Sequence, residues 1–128
     1  MAATTMTEKQ LQDLMIQWLN SHAKVFVWKQ NQGKTIREYT LKTGPFKGTK
    51  HTHAFRSAGV DGISDIIGMV EGRFIAIEVK KPGEKPRPDQ YAYLDRVVLA
   101  GGVGLWVSSM GDLYEVLKNI FPRKVWNL

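Results

Sequence analysis

The stretch from Arg73 to Pro86, RFIAIEVKKPGEKP, decides how the rest of the chain is read. Phe74, Ile75, Ala76 and Ile77 form an apolar run that reads as a strand buried on both faces. Glu78 and Lys80 follow, two places apart. Side chains alternate across a strand, so these two share a face. An ordinary salt bridge between strand-end charges is one explanation. A central strand, however, makes a buried carboxylate costly. Leaving one charge of a buried pair uncompensated costs about 3–5 kcal/mol, so a partner is expected.

Asp65 is the natural partner. It stands at the head of a second apolar run, Ser64 to Val70 (SDIIGMV), which Glu71 and Gly72 separate from the first by a tight-turn signal. The two runs predict an antiparallel hairpin. The start of one strand then lies near the end of the next, which brings Asp65 close to Glu78. Two carboxylates held together repel, and one tends to protonate. A hard divalent cation such as Mg²⁺ removes that penalty. On this reading Asp65 and Glu78 hold a metal that polarises a phosphate and acidifies a bound water. Lys80 stabilises the attacking hydroxide and the developing charge. Asp61 competes with Asp65 as ligand; Asp65 is preferred because the apolar strand follows it directly.

Residues 1–6 read as a loose tail, and 7–128 as one domain. Thr7 and Gln10 match a capping box. Leu11, Leu14, Met15, Trp18 and Leu19 then form a helical stripe that ends near His22. Lys24 to Gln30 and Lys34 to Lys42 read as strands, and Thr43 to His53, with Gly44, Pro45 and Gly48, as a basic loop. Pro88 suits the first position of a helix over 89–100, with Leu94, Val97 and Val98 on one side and Gly101 and Gly102 ending it. A strand over 104–109 and a helix over 111–121, striped by Leu113, Val116, Leu117 and Ile120, complete the chain. The expected fold is α/β, a central mixed sheet flanked by helices. Trp28, Trp106 and Trp126 are read as core or interface residues rather than base-stacking platforms.

The 128 residues include no cysteine, which excludes disulfide scaffolds, thiolate zinc sites and cysteine nucleophiles. No apolar run approaches the roughly 20 residues that span a bilayer, and the start lacks the apolar core of a signal peptide. A cytoplasmic setting is compatible with this. The net charge of +6 is unevenly spread. Lys24, Lys29, Lys34, Arg37, Lys42, Lys47, Lys50 and Arg56 face only Glu38 between positions 24 and 56. Such clustering suggests a polyanion partner. His51 and His53 could share a strand face, but no third metal ligand accompanies them.

Asp65 followed by Glu78-Val79-Lys80 resembles the D…ExK pattern of the PD-(D/E)xK nuclease superfamily. The fuller likeness is to its VRR-NUC branch. TEKQLQ, GISDIIG, AIEVKKPG, PDQYAYL and the Gly pair before the next strand follow that branch's order, from Thr7 to about Ser109. The resemblance implies a restriction-endonuclease-like core in α-β-β-β-α-β order. It also implies metal-binding carboxylates at Asp65 and Glu78, a catalytic lysine at Lys80 and a backbone metal ligand at the Val79 carbonyl. Gln90 would help build the site. Glu8 would complete it, sometimes through water, unless it only favours the positive end of its helix. Gln12, one turn on, would support the site or be solvated. Ser64 replaces the proline of the superfamily dipeptide, and Arg87 stands where Ser or Thr would cap the helix better.

The function this implies is Mg²⁺-dependent hydrolysis of DNA phosphodiester bonds, with Mn²⁺ able to substitute. Lys29, Lys34, Lys47, Lys50, Arg56, Lys81, Lys85 and Arg87 would contact the backbone. Phosphate contacts position a duplex without reading its sequence, so the expected substrates are junctions, flaps and other branched DNA. The branch also implies a homodimer, and so small a nuclease is plausible in a phage or a mobile element. A rival reading keeps the fold as a nucleic-acid-binding module without catalysis. An accessory factor in recombination, or one directed at RNA, is a third.

Overall fold

Glu71 and Gly72 both adopt positive φ, 49° and 78°, the geometry of a two-residue turn that matches the twist of its flanking strands. In the computed structural model they join β4 (Ile66–Val70) to β5 (Arg73–Val79), antiparallel, with Val70 opposite Arg73 and Ile66 opposite Ile77. The structure describes residues 6–30, 34–56 and 60–126; the side chains of 34–38 and 52–56 lie outside that description. The predicted hairpin is therefore present. Its first strand begins at Ile66, so Ser64 and Asp65 lead into it rather than belong to it.

β1 (Val25–Lys29) pairs antiparallel with β4, and β6 (Val103–Val107) pairs parallel with β5, giving a mixed sheet in the order β1-β4-β5-β6. Three helices flank it: α1 (Glu8–Asn20), α2 (Pro88–Leu99) and α3 (Met110–Ile120). The capping box at α1 forms as the sequence predicts. Thr7 Oγ1 accepts from the Gln10 N–H at 3.1 Å, and Gln10 Oε1 from the Thr7 N–H at 3.0 Å. Pro88 opens α2, and Gly101, at φ 96°, follows it.

The two faces of the sheet differ. Val27, Ile66, Ile75, Ile77, Leu105 and Val107 form one core with Met15 and Leu19 of α1 and Leu113 and Leu117 of α3. Trp126 closes that core, stacked on Trp18 at 5.5 Å. α2 packs on the opposite face over β5 and β6. It lies so close to β6 that a Cβ on Gly104 would meet the Leu94 carbonyl oxygen. On β1 and β4 the same face leaves Phe26, Trp28 and Met69 exposed. Trp106 is also partly exposed, so of the three tryptophans read as core or interface residues, Trp126 is in the core and Trp28 and Trp106 lie at the surface. The helical stripes are narrower than expected: Leu14, Val98 and Ile120 are exposed, whereas Ile16 packs against the core.

The basic segment holds the main departure. β2 (Lys34–Thr40) pairs antiparallel with β3 (Lys50–Arg56), from Lys34 opposite Arg56 to Thr40 opposite Lys50. The expected loop over 43–53 therefore stops at Thr49. Together β2 and β3 form a separate two-stranded sheet. Among the described residues, no helix is long and apolar enough to cross a membrane.

Candidate functional site

The ladder explains why Asp65 meets Glu78. Ile66 is opposite Ile77, so Asp65 is one step further, beside Glu78. Asp65 Oδ2 accepts from the Val79 N–H at 2.9 Å, which ties the head of β4 to the end of β5. The Asp65 carbonyl accepts from the Gln30 N–H at 2.7 Å, fixing the same residue to the end of β1.

Glu78 is 1% exposed. Its Oε1 accepts from Gln90 Nε2 at 2.9 Å and lies 3.7 Å from Lys80 Nζ. The lysine distance is within ion-pair reach but too long for a hydrogen bond. Lys80 thus supplies the compensating charge that the strand demanded, and Gln90 the hydrogen bond. The Gln90 amide is oriented by both of its ends. Its Oε1 accepts from the Arg87 N–H at 2.8 Å at the start of α2, so its amide nitrogen must face the carboxylate. Arg87 makes no side-chain cap, and Gln90 satisfies the helix start in its place. Gly62, at φ 70°, holds the chain before Asp65 against this helix start, where a Cβ would overlap the Asp89 carbonyl.

Glu8, Asp65, Glu78, Val79, Lys80 and Gln90, the six residues expected at the site, all line one cavity of about 550 Å³. Gln12, Lys29, Gln30 and Arg87 line it too. Three carboxylates and three cations therefore share the lining. Lys29 is also paired with Asp13 at 3.2 Å, and Arg87 with Asp89 at 3.2 Å. The Arg87 hydrogen bond holds the Asp89 carboxyl below its ordinary range. Asp61 does not line this cavity. Gln30 was not anticipated. The pairing of β1 with β4 that brings it to Asp65 joins segments distant in sequence, and no local pattern announces it.

The other expected phosphate contacts divide. Lys81 lines a neighbouring apolar groove, and Lys85 is exposed on the loop before α2. Lys47 and Lys50 belong to the β2–β3 hairpin rather than the cavity. The side chains of Lys34, Arg37, His53 and Arg56 lie outside the described residues. His51 stacks on Tyr39 at 5.8 Å and shares a 2.8 Å hydrogen bond with Thr49 Oγ1.

Among the described residues, no group of three or more His, Cys, Asp and Glu side chains gathers in metal-binding geometry. Glu8 thus shares the cavity with Asp65 and Glu78 without closing a three-carboxylate cluster. The available donors are oxygens of Asp65, just before β4, and of Glu78 and Val79 at the end of β5. That set fits Mg²⁺, which commonly takes one or two carboxylates, retains waters and shares substrate phosphate. It does not fit a softer metal, which favours thiolate or imidazole.

No family model matches the chain, and neither the curated proteins nor the solved structures compared with it give a match.

Proposed function

We propose that this protein is a metal-dependent endodeoxyribonuclease with a restriction-endonuclease-like core, of the VRR-NUC kind. The observation that carries the reading is the convergence of Asp65, Glu78 and Lys80 in one cavity, with Gln90 holding Glu78. The sheet supports it as well: α1, β1, β4, β5, α2 and β6 follow the expected α-β-β-β-α-β order, with β2 and β3 as an insertion.

Asp65 and Glu78, with the Val79 carbonyl, would hold Mg²⁺ or Mn²⁺, and Glu8 would contribute through water. The bound cation supplies Lewis-acid polarisation of the phosphate and eases deprotonation of water. Lys80, 3.7 Å from Glu78 Oε1, would orient the attacking water and meet charge developing on the phosphate. Gln90 keeps the Glu78 carboxylate from turning away. Lys29 and Arg87, on the cavity wall, would bind phosphates flanking the scissile one. Branched DNA is the proposed substrate class. A homodimer would present two sites for two strands.

The test is incubation with labelled four-way junction, flap, linear duplex and single strand, in Mg²⁺, Mn²⁺ or EDTA. The reading expects cleavage that EDTA abolishes and that Asp65→Ala or Lys80→Ala lowers at least about 100-fold while binding persists. Tight binding without metal-dependent cleavage of any substrate would replace it with the non-catalytic binding module.

A further inference from the structure

The β2–β3 hairpin ends in a tip with a defined shape. Gly48 N–H donates to the Leu41 carbonyl at 2.9 Å, and Lys47 N–H to the Gly44 carbonyl at 3.2 Å. The Phe46 carbonyl accepts twice from Thr49, from its N–H at 3.1 Å and from its hydroxyl at 2.6 Å. Gly44 and Gly48, at φ 85° and 88°, supply the left-handed turns on either side. The backbone of Phe46 is therefore held, yet its side chain is 65% exposed.

A single exposed aromatic residue is ordinary on a protein surface. Its setting here is not. Lys42 and Lys47 flank it, both exposed, and no carboxylate occurs from Tyr39 to His51. A pre-shaped aromatic side chain among cations is the combination that binds single-stranded nucleic acid. Every base offers a face for stacking, while the lysines take the adjoining phosphates. In the sequence the hairpin begins four residues after Gln30, which lines the cavity and donates to Asp65. Seven residues per strand, at about 3.3 Å each, give an arm about 20 Å long, or about six base steps.

We propose that the hairpin tip binds an unpaired nucleotide, with Phe46 stacked on its base and Lys42 and Lys47 on the flanking phosphates. This rests on the nucleic-acid part of the reading above and gives it a source of selectivity for branched or single-stranded regions over intact duplex. A tip of this chemistry could instead enter an anionic lipid surface, and the experiment separates the two.

The full-length protein is titrated, in EDTA, with a fluorescent single strand, a four-way junction carrying an unpaired nucleotide at the branch, a blunt duplex and anionic phospholipid vesicles. Phe46→Ala is expected to weaken binding to the first two about tenfold and to the blunt duplex less than about twofold, with Phe46→Trp restoring the loss. Unchanged affinity for the single strand, equal loss on the blunt duplex, or a Phe46 dependence seen only with vesicles would overturn the proposal. Wild-type protein that cuts nothing in Mg²⁺ yet keeps the Phe46 dependence would support the tip and sink the nuclease.

Discussion

Glu78 and Lys47 represent the two ways this chain carries charge. Glu78 is at the end of a central strand, 1% exposed, and is held by Gln90 and Lys80. Lys47 is solvated at the tip of a hairpin that forms its own two-stranded sheet. Buried charge gives a fixed direction but makes the fold depend on its partners. Solvated charge contributes attraction without precision, and its removal leaves the fold nearly unchanged. The division is what the proposed phosphodiesterase activity would need, since positioning and grip are separate tasks.

The sharpest way to break this comparison is to remove one buried partner. Lys80→Met removes the cation 3.7 Å from Glu78 Oε1, and urea denaturation should show a loss of about 3–5 kcal/mol. Adding Glu78→Gln to it should recover most of that loss. A single variant as stable as the wild type would show that Lys80 does not compensate Glu78. Gln90→Ala is expected to cost less, about 1–3 kcal/mol, because it strands one hydrogen bond at Glu78 and one at the Arg87 N–H. A Gln90→Glu variant should not rescue it, since that sets carboxylate against carboxylate. At the other extreme, Lys42→Gln with Lys47→Gln should change stability by less than about 0.5 kcal/mol. The same pair should reduce the salt slope of single-strand binding by about 1.4 if both lysines contact the phosphates beside the unpaired base. Lost stability there would show that the hairpin charges are structural.

The parts legible in the sequence were those written locally. The Glu71–Gly72 turn and its two apolar runs determine the register, and the register delivers Asp65 to Glu78. The Thr7–Gln10 cap and Pro88 marked their helix starts for equally local reasons. Gln90 was reached through the family pattern rather than through its own neighbours. What stayed hidden depends on distant packing. Leu14, Val98 and Ile120 fit their helical stripes, but whether a stripe edge is covered depends on which neighbour lies beside it. β3 was obscured because its first residues follow a glycine- and proline-rich turn and read as part of the loop. Gln30 became a site residue only because β1 pairs with β4.

The most direct test of the central claim is Mn²⁺ binding, followed by water-proton relaxation or by the rise in melting temperature that a native-state ligand produces. The account predicts saturable binding by the wild type, lost in Asp65→Ala and in Glu78→Gln and retained in Asp61→Ala. Binding that survives both of the first two substitutions, or that Asp61→Ala alone removes, would contradict it.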